Sequence, residues 1–201
     1  MEGVILKPGK DKAVRQRHHW IFSGAIASYP KKFSNGAAVP VYSSDGELLG
    51  RGYFNKQLSL AGRMLSFDDR PVERVLADSL HQAVKLREQL FADQDTTAYR
   101  LVNGEGDGLP GLIVDRYDDV LVMQIATLGM ERLEAKIVEV LRRELHPRAI
   151  YEKSDSPSRK QERLETDEGW LYGSAEPRVE IKENGLSFLV DLVDSQKTGF
   201  F

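Results

Sequence analysis

The sequence offers three places where residue types and spacing could do chemistry, and the most conspicuous is a glycine motif. Gly106-Asp107-Gly108-Leu109-Pro110-Gly111 spells G-x-G-x-x-G letter for letter. In a dinucleotide site such a loop opens directly into a helix whose first amides face the pyrophosphate. Here Pro110-Gly111 leads into Leu112-Ile113-Val114, branched residues that predict a strand, and Glu105 and Asp107 would repel a phosphate. The context predicts a structural glycine turn. A dinucleotide-binding enzyme using this loop is a third-ranked reading, and it would require measurable nucleotide affinity.

The second place is a basic run: Lys7, Lys10, Lys12, Arg15, Arg17, His18 and His19, followed by Trp20. Cations interleaved with an aromatic can neutralise phosphates and stack a base. The competing reading is a solvated helix with Trp20 in the core. We assign Lys7, Lys10, Lys12, Arg15, Arg17 and His18 to RNA contact, and Trp20 to the core. The third place is Lys153-Ser154-Asp155 with Arg159, Lys160 and Arg163, in a polar stretch over 154–176 that reads as a loop. Arg159 and Lys160 join the RNA set, against the plainer alternative of a charged loop with no specific role.

Other chemistries find no residues to carry them. The chain has no cysteine, which excludes disulfides, thiolate metal sites and a cysteine nucleophile within it. His18, His19, His81 and His146 lack ligand-like spacing, so no metal is expected, and His81 and His146 read as structural. There is no G-x-S-x-G elbow. No window approaches a membrane span and the start is too weakly apolar for a signal peptide, so the expected address is cytoplasmic with no membrane partner.

The formal net charge of −3 conceals an asymmetry. Residues 1–70 hold 11 Lys+Arg against 6 Asp+Glu; the rest of the chain holds 17 against 25. A basic front and an acidic back point to a localised polyanion surface.

The elements that must position these residues are short strands, then a long helix, then a mixed segment. Val4-Ile5-Leu6, Trp20-Ile21-Phe22, Ala25-Ile26-Ala27, a hairpin from Val39 to Phe54 around Ser44-Asp45-Gly46-Glu47, and strand material over 58–65 predict a small barrel. Pro71 opens a helix of about twenty residues, with Val72, Leu76, Leu80, Ala83, Val84 and Leu90 at helical spacing. A β-β-α-β order follows: strands at 112–117 and 120–125, a helix near Met130–Leu145 stopped by His146-Pro147, and a strand at 149–151. A last hairpin turns at Asn184-Gly185. The fold class is α+β. The expected division is 1–70 RNA-binding, 71–95 connecting helix, 96–192 central domain and 193–201 linker. The stranded Phe200-Phe201 suggests a further domain that would cover them.

The strings Arg17-His18-His19-Trp20-Ile21-Phe22-Ser23-Gly24-Ala25-Ile26, Tyr99 through Tyr117, and Gln196-Lys197-Thr198-Gly199-Phe200-Phe201 resemble the bacterial large-subunit ribosomal RNA cytosine-C5 methyltransferases with an N-terminal PUA domain. His19 departs from the proline usual there. The resemblance implies a PUA-like β pseudo-barrel, an EEHEE-type α/β domain and a C-terminal Rossmann-like domain that binds S-adenosylmethionine. That last domain is expected to lie beyond Phe201, together with the cysteine thiolate that attacks C6 of cytosine. No cofactor is expected on this chain, and the chain alone is expected to be inactive. Gln196, Lys197 and Thr198 would border the cofactor domain. The expected partners are ribosomal RNA and the absent domain. The competing reading is a self-contained, non-catalytic RNA-binding or scaffold protein.

Overall fold

A computed structural model describes residues 2–92 and 95–193. Gln196, Lys197, Thr198 and Phe200-Phe201 lie outside the described residues.

Strands β1 (Val4–Leu6), β2 (Trp20–Phe22), β3 (Ile26–Ser28), β4 (Ala38–Tyr42), β5 (Leu48–Phe54) and β6 (Leu60–Ser66) form one sheet in the order β2-β6-β5-β4-β1-β3. Helix α1 (Lys12–Arg15) joins its first two strands. Pairing is antiparallel except between β1 and β4, and register shifts interrupt four of the five pairings. Such irregularities bend strands, which lets the sheet curl around Val4, Leu6, Ile21, Val41, Phe54 and Met64. The β4–β5 turn is the one expected: Gly46 takes φ +86°, and the Ser43 hydroxyl accepts from the amides of Asp45 and Glu47. Close packing demands glycine at 62, where an added Cβ would lie 2.2 Å from the Phe54 ring.

Helix α2 (Val72–Phe91) starts after Pro71 and buries Val72, Val75, Leu76, Leu80, Ala83 and Val84. Leu90, assigned to that stripe from its spacing, is instead more than half exposed. Beyond it, β7 (Ala98–Asn103), β8 (Leu112–Tyr117), β9 (Val120–Ile125), β10 (Ala149–Ser154) and β11 (Asp167–Gly173) form a second sheet in the order β11-β10-β9-β8-β7. Helices α3 (Leu128–Glu131) and α4 (Glu134–Leu145) cross between the parallel neighbours β9 and β10. The single helix expected over 130–145 is therefore two, and α4 ends at His146 in the left-handed conformation, φ +47°. Hairpin β12 (Arg178–Glu183) and β13 (Leu186–Asp191) packs Val179, Ile181 and Val190 against the far side of the second sheet.

Three elements differ from the sequence reading. β7 is a strand that the glycine-rich residues after it obscured, so the order is β-β-β-α-β-β. The stretch 154–176 is not a loop: it holds α5 (Pro157–Glu162) and the whole of β11. Helix α5 escapes a periodicity search because its buried residues are Arg159 and Glu162, not apolar ones.

Candidate nucleic-acid interface

The basic run divides by residue type. Among the described residues, every arginine of the first sheet unit except Arg17 faces a carboxylate. Arg15 meets Asp11 and Glu47 at 2.6 Å each, Arg51 meets Asp69, Arg63 meets Glu162, and Arg70 meets Asp68 and Asp78. The lysines do not. Lys7, Lys10, Lys12, Lys31, Lys32 and Lys56 make no ion pair within the described residues, and Lys7 spends one hydrogen bond on the Gly24 carbonyl. An unpaired, exposed ammonium is free to replace a phosphate counterion; a paired guanidinium must first give up its partner. Of the sequence-selected contacts, Lys7, Lys10, Lys12 and Arg17 therefore keep an available charge. Arg15 is largely neutralised.

Arg17 is held at φ +62°, a conformation that costs a non-glycine residue energy and concentrates at functional positions. Its guanidinium sits 5.8 Å from the Phe67 ring centroid. Next to it the two histidines differ. His19 Nδ1 lies 2.7 Å from the Met64 carbonyl oxygen, which can only accept, so that nitrogen carries a proton. His18 Nδ1 accepts from the Trp20 amide at 3.1 Å and is exposed.

Trp20 overturns its assignment to the core. It is 40% exposed, and its indole Nε1 donates to Glu105 Oε1 at 2.7 Å. It lies on the side of β2 opposite buried Ile21, and a carboxylate 85 residues away holds it at the surface.

Arg159 is also corrected. It is 2% exposed, donates through Nη1 to the Ile125 carbonyl and through Nε to that of Glu165, and pairs with Glu131 at 3.2 Å. Buried and saturated with acceptors, it closes the end of the second sheet and is withdrawn from RNA contact. Lys160, one residue on, stays exposed.

Behind this surface a buried polar seam joins the two sheets, and sequence spacing gave no sign of it. Glu162 accepts from Arg63 Nη1 at 2.7 Å and Asn55 Nδ2 at 3.1 Å. Tyr53 donates to the Pro110 carbonyl at 2.6 Å and accepts from the Thr127 hydroxyl at 3.0 Å. On β10, Glu152 is buried against the Ser154 hydroxyl, and burial followed by the neighbouring Glu134 and Asp167 pushes its carboxyl up to about 7. Lys153 reaches the Leu192 and Val193 carbonyls from the same strand.

The glycine motif is a turn. Residues 104–107 form a 3-10 turn, Gly108 is left-handed, and the amides of Gly108 and Leu109 return to the Glu105 and Gly104 carbonyls. Asp107 is gripped by both Nη atoms of Arg87. These amides are spent within the turn, and β8 follows where a phosphate site needs a helix.

Residues 4–67 match the family described as a PUA-like domain. Over 98% of its length the chain is 36% identical to the ribosomal RNA large subunit methyltransferase I of Alteromonas mediterranea, covering 50% of that protein. It is 40% identical to the protein of the same name from Aliivibrio fischeri, covering 51% of it. The chain spans about half the length of the curated relatives it matches. Among solved structures, a candidate SAM-dependent methyltransferase from Streptococcus mutans superposes on the entire chain with a TM-score of 0.79 at 26% identity, and the match covers 51% of that protein. A candidate methyltransferase complexed with SAH gives 0.80 at 25% identity, with 50% of it covered. Residues 4–67 are thus a PUA-like domain, within a chain similar along nearly all its length to half of a large-subunit ribosomal RNA methyltransferase.

Proposed function

We propose that this chain is the RNA-recognition and substrate-positioning portion of a SAM-dependent methyltransferase that acts on cytosine C5 of large-subunit ribosomal RNA. The observation that carries the RNA half is the set of unpaired lysines on a PUA-like domain whose arginines, Arg17 excepted, face carboxylates. The methyl-transfer half rests on the relatives, named as ribosomal RNA methyltransferases, that match 98% of the chain. In this reading residues 1–70 grip RNA, 71–95 connect, and 96–192 form an EEHEE-type central domain extended by β7. S-adenosylmethionine is the methyl donor in this reading, and the attacking thiolate is not supplied by this chain, in which no cysteine occurs.

The test is a methyl-transfer assay. The full-length parent is incubated with undermodified large-subunit ribosomal RNA and labelled S-adenosylmethionine, and the product is digested and analysed by mass spectrometry. The expected product is 5-methylcytidine. A label on another base overturns the C5 assignment, and RNA binding without any transfer favours the non-catalytic alternative.

A further inference from the structure

Two large aromatic side chains of the described residues are left in water on one short strand. Trp20 is 40% and Phe22 52% exposed, and buried Ile21 lies between them. The exposed–buried–exposed pattern sets both rings on the side of β2 away from Ile21, with a register shift between Ile21 and Phe22. β2 is an edge of its sheet, bonded only to β6.

Trp20 is nonetheless fixed. Its indole N–H is bound to Glu105 and its amide to His18 Nδ1, and the His18 ring meets it edge-on at 5.6 Å. One cation lies beside the pair, and others stand on the same unit. Lys7 Nζ is bonded to the carbonyl of Gly24, two residues past Phe22. α1, which carries Lys12, is tied to the entry of β2 by the Arg17 and His18 amides, bonded to the Val14 and Ala13 carbonyls. Lys7, Lys12 and Arg17 have no carboxylate partner among the described residues. Exposed planar rings on a unit with available cations suit a ligand with flat apolar faces on an anionic backbone, whose phosphates would lie towards Lys7 and away from Glu105. A second copy of the chain would set lysines against lysines.

We propose that Trp20 and Phe22 form a stacking platform for unpaired bases, so that the PUA-like domain takes RNA in single-stranded form. Bases within a duplex offer no free face to such rings, whereas splayed single-stranded bases do. This rests on the RNA reading above and adds the class of RNA and the residues that hold it.

Trp170→Phe leaves Trp20 as the single indole of the chain. In that background, titration with an unstructured ten-nucleotide RNA should quench Trp20 fluorescence, and an abasic strand of equal length should not. Phe22→Ala should weaken binding by about 5- to 150-fold, the range per stacked base, without changing the dependence on salt, because no charge is lost. Trp20→Phe keeps a ring while losing the Glu105 bond, and should bind better than Trp20→Ala. If Phe22→Ala and Trp20→Ala bind as the parent does, with no quenching, the platform is overturned while the RNA reading stands on the salt dependence. If no RNA binds at low salt, both fall. Self-association abolished by Phe22→Ala, with RNA affinity intact, would give the face to a second copy and also overturn the proposal.

Discussion

Arg63 and Glu162 stand 99 positions apart in sequence and 2.7 Å apart in space, with their side chains only 13% and 3% exposed. Through this pair the strand β6 of the PUA-like domain is fastened to α5 of the second unit. Glu162→Ala leaves Arg63 without its carboxylate and Asn55 with only the longer 3.5 Å bond to the carbonyl of residue 162, and should lower unfolding free energy by about 3 kcal/mol in urea denaturation. The paired change Arg63→Met with Glu162→Leu should cost much less, because no orphaned charge remains. A loss under about 1 kcal/mol for Glu162→Ala would mean that water enters the seam.

Tyr53 makes the same junction with a neutral group. Tyr53→Phe removes the donor to the Pro110 carbonyl and the acceptor of the Thr127 hydroxyl, both buried. A loss of about 1–3 kcal/mol is expected from thermal or urea melts. Gly129→Ala tests the steric side, since the new Cβ would lie 2.0 Å from Tyr53 Cγ. A Gly129→Ala protein as stable as the parent would show that α3 can move away from Tyr53 at little cost.

Glu152 sets a pH dependence. Its folded carboxyl titrates at about 7, above its ordinary 4.5, so the folded chain holds this proton more tightly than the unfolded one. The associated stability is full below about pH 4.5 and is lost as pH rises through 7. Glu152→Gln should therefore gain on the parent between pH 5 and 8, by on the order of 2 kcal/mol at the upper end. Parallel stability curves for the two proteins across that window would contradict the assignment.

The division between paired arginines and unpaired lysines predicts unequal effects on RNA. Lys10→Gln with Lys12→Gln should weaken binding and reduce the slope of log affinity against log salt by roughly 1.4, as expected for two phosphate contacts on a single strand. Arg15→Gln should change the slope little, since Arg15 is already engaged by Asp11 and Glu47. Fluorescence anisotropy from 50 to 300 mM salt measures both. Equal slopes for the two variants would remove the distinction.

Sequence patterns carried the local structure wherever apolar periodicity and turn chemistry agree. The Asp45-Gly46 and Asn184-Gly185 hairpins, the Pro71 start of α2 and the His146-Pro147 stop all stand where those residues put them. The failures share one physical cause. Arg159, Glu162 and Trp20 take their environment from partners 34, 107 and 85 residues away, and no local window contains such a partner. A polar residue buried by a distant polar residue reads as surface, which is how α5 passed for a loop. Trp20 is the opposite error: a large aromatic reads as core, although here it lies on the side of β2 away from buried Ile21.

The split between the two kinds of cation also sets which substitutions the surface tolerates. A lysine ammonium acts as a point charge on a flexible stem, whereas a paired guanidinium is held by its planar fork. Lysines of the front face should be interchangeable with arginines, or relocatable by a residue, at little cost to polyanion affinity. Arg63 should accept no such exchange, even by lysine. Related chains can therefore drift in where they carry their free positive charge while the positions of their buried arginines stay fixed.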